Sequence, residues 1–248
     1  MRGFRGLKKL EELNLADNLI EDASVQETGF QMVSLTEVNL SGNKISTLGK
    51  LFGFPYVRDV ILDRNPITKI ESIAFSACPE LVNLSMNSIK LPNYHGDLRF
   101  LRQCQNLEKL SMNYCFTDSD FKDVSSLPDL FKLRNFSMRG VGLIKTTDLH
   151  FKMPILEILD LQDNKIFEVE SIDDLSNFTS LVEVNFAENP INVHKNLQEM
   201  MSEANPMLEI INKRQVQDIG YREQQEIREI RRQIIEYEAP VTGTTRGD

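Results

Sequence analysis

A short pattern of apolar residues recurs along most of this chain. It first runs Leu10-Glu-Glu-Leu13-Asn-Leu15-Ala-Asp-Asn18-Leu-Ile20, and it returns seven more times with the same spacing. The second apolar residue of each L-x-L core marks the copies, 22 to 26 residues apart, at Leu15, Leu40, Leu62, Met86, Met112, Met138, Leu161 and Phe186. A regular period of this size indicates a solenoid, in which each unit buries its apolar side against its neighbours.

The spacing within one copy predicts a strand followed by a return segment. Side chains alternate along a strand, so the two apolar residues of L-x-L share the buried face and the residue between them faces solvent. In the return segments apolar residues recur every three or four positions, as in Ile166, Val169, Ile172 and Leu175. That period predicts a helical or 3₁₀ turn packed on the strand layer.

These copies resemble the leucine-rich repeat superfamily, whose consensus is L-x-x-L-x-L-x-x-N/C-x-L. The resemblance covers about residues 7 to 191. The repeat lengths and convex residues such as Ile45, Leu48, Leu51 and Phe54 are similar to the short-repeat subclass typified by the leucine-rich regulatory subunit of type-one protein phosphatase. The resemblance implies an intracellular α/β solenoid: a curved leucine-rich repeat arc with a concave parallel β-sheet and convex helical or 3₁₀ turns.

An asparagine follows the strand core in five of the copies, at Asn18, Asn43, Asn65, Asn164 and Asn189. Its side-chain amide is expected to pair with backbone groups inside the bend, which is a structural role and not a catalytic one. The three middle copies carry Ile89, Cys115 and Val141 at this place. We expect less regular bends where the residue is Ile89 or Val141.

The pattern changes after the last copy, and four segments are predicted: a solenoid over 1–191, a C-terminal cap over 192–217, a charged amphipathic helix over 218–238 and a flexible tail over 239–248. The cap resembles that of the same subclass, with Val193, Leu197, Met200 and Met201 on one face of a short helix. At the other end the chain enters the first copy by Leu7, and we expect a partner or further sequence to cover that edge.

The charged helix carries an apolar seam with spacings of three, four and three residues, at Ile227, Ile230, Ile234 and Tyr237. The seam is too short to hold a coiled coil alone, so it must pack on the cap or on a partner. These four residues are predicted to bind protein.

Composition and charge exclude several classes of function. The net charge of −9 argues against a nucleic-acid surface and against anionic membranes. The sequence contains no apolar run that spans a bilayer and no signal peptide before the first copy, so a cytoplasmic location is expected. Three cysteines, Cys78, Cys104 and Cys115, lie at core-like positions and are expected to be reduced.

Catalytic chemistry has little support in the sequence. His95, His150 and His194 lie far apart, with no metal-ligand spacing, glycine-rich phosphate loop or nucleophile elbow. We therefore expect no enzyme activity, cofactor, metal or small-molecule substrate.

Function is then predicted from the exposed strand residues of the concave face. This surface is polar, small and mildly acidic, with cations and a tyrosine in its middle. The predicted protein-binding residues are Ile61, Arg64, Lys109, Asn113, Tyr114 and Arg139. The alternative for each of them is an ordinary solvated side chain.

Two hypotheses follow for the function. The first is a noncatalytic scaffold in a large intracellular assembly, because a capped arc followed by a charged helix is similar to axonemal leucine-rich repeat proteins of cilia and flagella. The second is a regulatory subunit that binds an enzyme, such as a protein phosphatase, on the concave face. Both name other proteins as the partners.

Overall fold

The computed structural model describes residues 7–23, 31–51, 53–91, 98–116 and 124–216. The strands are β1 Glu12–Asn14, β2 Glu37–Asn39, β3 Thr47–Leu48, β4 Asp59–Ile61, β5 Lys69–Ile70, β6 Asn83–Ser85, β7 Lys109–Ser111, β8 Asn135–Ser137, β9 Ile158–Asp160, β10 Glu183–Asn185, β11 Ile210–Ile211 and β12 Arg214–Gln215. The α-helices are α1 Leu149–Lys152, α2 Glu170–Asp173 and α3 Leu197–Ala204, and the 3₁₀ segments are Arg99–Gln103, Asp174–Asn177 and Pro190–Val193.

One long sheet runs through the molecule, in the order β1-β2-β4-β6-β7-β8-β9-β10-β11-β12. The strands from β1 to β11 pair in parallel. The register follows the repeat: Val38 lies beside Leu13 and Val60, the residues at the same place in the neighbouring copies. The predicted α/β solenoid with a parallel sheet is thus confirmed.

The L-x-L alternation is also confirmed. In the long sheet, the middle residue of each strand from β2 to β10 is buried, and its flanking residues are mostly half-buried on the opposite side. Val38 and Leu40 are both buried, for example, while Asn39 between them is not. The apolar rows form one continuous core along the solenoid.

The convex side differs from the prediction in two copies. Helical or 3₁₀ turns occur at Arg99–Gln103 and from Leu149 onwards, as predicted. The second and third copies instead form β3 and β5, which pair in parallel as a separate two-stranded sheet. Leu48 and Ile70 point inward while Thr47 and Lys69 are exposed, an alternation that suits extended backbone.

The asparagine side chains pair with backbone groups, as predicted, and four of them also link adjacent copies. Asn65 is 1% exposed. Its Nδ2 donates to the carbonyls of Leu40 and Leu62, both at 2.9 Å, and its Oδ1 accepts from the Ile45 amide at 3.1 Å. Asn43, Asn164 and Asn189 make the same kind of bonds across one copy. Their structural role is confirmed by these contacts.

The expectation of less regular bends at Ile89 and Val141 is wrong. Ser88 and Gly140, which precede them, have φ of 54° and 60°, within the range of the other bends. Ile89 and Val141 are buried in the core instead. Core packing therefore holds the bend, and at Val141 the backbone amide also donates to Asn164 Oδ1 of the next copy at 3.1 Å.

The C-terminal end of the sheet is closed by α3 and the β11–β12 hairpin. Leu197 and Met201 of α3 are buried, Met200 packs on the core, and β11 pairs with β10. Asn205 is fully buried and donates to the Leu175 and Phe178 carbonyls.

One residue assigned to the α3 face is misplaced by the prediction. Val193 lies in the 3₁₀ segment before α3 and is 79% exposed. The predicted charged helix over 218–238 and tail over 239–248, with Ile227, Ile230, Ile234 and Tyr237, lie outside the described residues.

The cysteines are free and buried, as predicted. Burial raises the pKa of Cys78 and of Cys104 to about 12, and it raises the pKa of Cys115 further. The three thiols therefore behave as small core side chains and not as nucleophiles.

Replacing Asn65 tests the ladder of asparagines. Asn65→Ala is expected to lower the free energy of unfolding by about 2–4 kcal/mol, because the Ile45 amide and two carbonyls lose their partner in the core. Asn18→Ala is the matched control: Asn18 is exposed and bonds only within its own bend, so it should cost less than about 1 kcal/mol. Urea unfolding followed by circular dichroism measures both, and equal losses would contradict the ladder.

Candidate protein-binding face

The outward side chains of the parallel strands meet in a shallow depression of about 370 Å³ on the face opposite the core. It extends from β2 to β8 and is lined by Glu37, Asp59, Ile61, Asn83, Ser85, Lys109, Ser111, Asn135 and Ser137, together with backbone of the buried strand residues. Three serines form its floor, because the residue between the two core positions is serine in β6, β7 and β8. We call this the concave depression.

Several groups in the concave depression lack a complement. Ile61 is an apolar side chain that is only half-buried among polar neighbours. The exposed Lys109 forms no ion pair with a carboxylate of the described residues. Accessible groups of this kind mark a surface that gains by contact with a partner. Asn83 donates to Asp59, and its own amide oxygen has no partner among the described residues, but that oxygen is buried and is not accessible to a partner.

A ladder of hydrogen bonds borders the depression. Asp63 accepts from Ser85 Oγ and from the Asn87 amide, both at 2.7 Å. Asn87 Oδ1 accepts in the same way from Ser111 Oγ at 2.7 Å and from the Asn113 amide at 2.8 Å. The side chains thus repeat one arrangement from copy to copy. We call this chain the concave ladder.

The concave ladder continues to β9. Asn113 Oδ1 accepts from Ser137 Oγ at 2.8 Å and from the Arg139 amide at 2.7 Å. The Arg139 side chain then forms a fork with Asp160, through Nε at 2.8 Å and through Nη2. The hydrogen bond to Asp160 raises the pKa of the Arg139 guanidinium. The described hydrogen bonds therefore cross five successive copies without interruption.

The serines explain why this ladder crosses between copies. In outer copies the residue between the two core positions is Asn39, Asp160 or Asn185, and its Oδ1 accepts from the amide two residues later in the same copy. A serine at that place carries a hydroxyl donor, and the amide two residues later is bonded by the preceding copy instead. The small serine side chains therefore leave space in the depression, and their hydrogen bonds still link neighbouring copies.

One residue in each bend has a left-handed backbone conformation, with φ between 53° and 64°. These residues are Asp17, Gly42, Arg64, Ser88, Tyr114, Gly140, Asp163 and Glu188. A Cβ on Gly140 would lie 2.1 Å from Tyr114 Cε1, and one on Gly42 would lie 2.0 Å from Asp17 Oδ1. Each glycine therefore lets a side chain of the preceding copy extend across it.

The extended side chains connect copies that are two apart. Tyr114 crosses Gly140 and approaches Asp163, whose carboxylate interacts with its hydroxyl. Desolvation and this carboxylate raise the pKa of Tyr114. Arg64 Nη2 reaches Asp17 Oδ1 at 3.2 Å, across the copy that holds Gly42. Tyr114 and Arg64 therefore each interact with a carboxylate of this chain at the rim of the face.

The six predicted residues fall into separate places. Ile61 and Lys109 line the concave depression. Asn113 and Arg139 belong to the concave ladder, Tyr114 lies at the rim beside them, and Arg64 is directed toward the first copy. The six residues do not form one patch, and their role in binding stays a prediction.

Sequence reasoning missed Asp63, Asn87, Asp160 and Asp163, the acceptors that tie these side chains together. The sequence did carry a sign of this arrangement. The residue between the two core positions of each strand, which is Asn or Asp in most other copies, is Ser in three successive copies. This face thus provides hydrogen-bonding side chains and a shallow depression. Within the described ranges, no group of three or more His, Cys, Asp or Glu is placed to hold a metal ion.

The described part of the chain has no helix with the length and apolar character needed to cross a membrane.

Comparisons with known proteins agree with this architecture. Residues 31–49 match the family model described as a leucine-rich repeat. The chain is similar to human trophoblast glycoprotein (5T4), with a TM-score of 0.56 and 23% identity over 73% of this chain and 70% of that one. Internalin C2 from Listeria monocytogenes is also similar, with a TM-score of 0.51 and 22% identity over 72% of each chain.

A third similar structure is the complex of TLR13 with ssRNA13, with a TM-score of 0.55 and 18% identity over 84% of this chain and 33% of the TLR13 chain. A comparison with curated proteins finds no match. At these identities the likenesses show the fold, which is that of a leucine-rich repeat solenoid.

Replacing Asn113 tests the concave ladder. Asn113→Ala is expected to lower the free energy of unfolding by about 1–2 kcal/mol, because Ser111, Ser137 and the Arg139 amide lose a partner. Asn14→Ala is the control, since Asn14 is exposed and bonds only to the Ala16 amide of its own copy. Thermal and urea unfolding should show the larger loss for Asn113→Ala. A loss no larger than that of the control would mean that the ladder adds no stability.

Titration of Tyr114 tests the interaction across Gly140. An acid whose pKa is raised by folding makes the folded state less stable as the pH rises above the pKa of the unfolded chain, here about 10. Asp163→Asn removes the charge and should move the pKa of Tyr114 back toward that value, while Asp129→Asn, an exposed control, should not. NMR of ¹³C-labelled tyrosine measures the pKa, and an unchanged value in Asp163→Asn would refute the contact.

Proposed function

We propose that this protein is a noncatalytic scaffold that binds another protein in the concave depression. The observation that carries the proposal is the contrast between the depression and its border. In the concave ladder the hydrogen-bonding groups are paired from Asp63 to Asp160. In the adjacent depression, the accessible side chains of Ile61 and Lys109 are left without a complement among the described residues.

The charges of the depression indicate what such a partner presents. Glu37 and Asp59 lie at one end, and Lys109 lies toward the other. A partner that fits has a basic group over the carboxylates, an apolar side chain over Ile61 and an acidic group over Lys109. Complementary charges of this kind set the orientation of a complex and speed its formation. The small serine floor leaves room for an inserted segment.

A large intracellular assembly, such as an axonemal complex of a cilium, is the setting that we propose for the scaffold. The resemblance to short-repeat axonemal proteins supports this assignment by analogy. The three buried, reduced cysteines are compatible with it, because disulfides are rare in cytosolic proteins. The proposed localisation is therefore cytoplasmic or cytoskeletal.

The second hypothesis, a regulator of a protein phosphatase, has weaker support. Two of the predicted concave-face binding residues, Arg64 and Arg139, already pair with Asp17 and Asp160. A partner would have to compete with these carboxylates. We therefore place the contact at Ile61 and Lys109.

Proximity labelling in cells, read by mass spectrometry, identifies the partner, and co-purification gives the stoichiometry. The double variant Ile61→Glu with Lys109→Glu is expected to weaken binding of that partner at least about tenfold, as losses at an interface centre do. Ile73→Glu with Lys69→Glu is the control, because both residues are exposed on the convex side. The control should bind like the natural chain.

Three results would contradict the proposal. Equal binding by both double variants would exclude the concave depression as the contact. Loss of the partner only after removal of residues 217–248 would move the contact to the predicted charged helix. Loss of bound phosphatase activity in Arg64→Glu with Arg139→Glu, with normal binding by Ile61→Glu with Lys109→Glu, would favour the regulator hypothesis.

A further inference from the structure

A second surface lies outside the concave face, beside the turns that lead into β8 and β9. Two adjoining shallow depressions, of about 740 Å³ and 500 Å³, share Asp129 and Lys152. The first also contains Arg102 and Phe131, and the second Phe151. We call the two together the lateral groove. None of its residues lines the concave depression.

The lateral groove exposes two aromatic rings. Phe131 is 56% exposed and Phe151 is 67% exposed. Both are held in place by buried neighbours in sequence, Leu130 and Leu149, which fix the turn and α1 to the core. Exposed large apolar side chains that share one groove are characteristic of interaction sites.

The groove is also basic, although the chain carries a net charge of −9. Among its described lining residues, cations outnumber carboxylates by four to two, with Arg99, Arg102, Lys145 and Lys152 against Asp129 and Asp148. Elsewhere on the described surface Arg64, Arg134 and Arg139 form ion pairs.

Three cations of the groove are not paired in that way. Arg102, Lys145 and Lys152 form no ion pair with a carboxylate of the described residues. Lys152 donates to the backbone carbonyl of Leu127 at 2.6 Å, which fixes its ammonium at the junction of the two depressions.

We infer that the lateral groove binds an acidic segment of a second protein, with carboxylates over Arg102, Lys145 and Lys152 and apolar side chains against Phe131 and Phe151. Charge complementarity selects this occupant. A nucleic acid or an anionic membrane would bring many phosphates toward Asp129, Asp148 and a strongly negative chain. An acidic peptide needs only a few local pairs.

A labelled 15-residue peptide in which glutamate alternates with leucine and phenylalanine is a suitable probe, measured by fluorescence anisotropy with the full chain. The peptide is expected to bind, and the same peptide with glutamine for glutamate should bind at least about tenfold more weakly. A 15-nucleotide oligothymidylate and phosphatidylserine vesicles serve as competing classes. Tighter binding of either one would overturn the inference.

Variants locate the binding site. Arg102→Glu with Lys145→Glu should weaken peptide binding at least about tenfold, whereas Lys69→Glu with Lys195→Glu, which changes the net charge equally, should not. Phe151→Ala should weaken it more than Phe167→Ala, another exposed phenylalanine. Failure of the natural chain to bind the peptide, or equal loss in the paired variants, would overturn the inference. Ile61→Glu with Lys109→Glu should bind the peptide normally, so the test is independent of the concave depression.

Discussion

The contact between neighbouring copies is the interaction on which the whole structure depends. The strands of the long sheet have three residues in each repeat copy, which is too short for a strand pair to be stable in isolation. Each is held by backbone bonds to two neighbours and by a core residue such as Val60. Asn65 adds side-chain bonds to the backbone of both its own and the preceding copy. Stability is therefore a property of the stack and not of any single copy.

The same stacking arranges the side chains that face outward. Because the copies are in register, residues from successive strands form straight columns across the sheet. In the column of Ser85, Ser111 and Ser137 this places small hydroxyls side by side, and the concave ladder bonds them to the preceding copy. A rigid, fully bonded border next to an incompletely bonded depression is a suitable platform for a partner.

The two proposed contact surfaces differ in charge as well as in place. The concave depression has carboxylates at the end formed by Glu37 and Asp59, while cations outnumber carboxylates among the described lining residues of the lateral groove. Partners of different charge would thus select different surfaces, and these surfaces share no described lining residue. That arrangement suits a scaffold, which brings separate proteins together.

The period of the sequence was sufficient for the parallel sheet, its register and the buried rows, because identical spacing forces identical units to stack. It was sufficient for the buried asparagines and cysteines too, since each occupies a repeated core position. The pairs Arg139–Asp160 and Tyr114–Asp163 were not predictable in this way: they join copies one and two apart, and Tyr114 reaches Asp163 only because Gly140 has no Cβ. The extended form of β3 and β5, and the placement of Phe131, Phe151 and Lys152 in two adjoining depressions, were likewise decided by the tertiary structure. Periodicity specifies which residues are equivalent, whereas the contacts between non-equivalent side chains depend on how the stacked turns lie against each other.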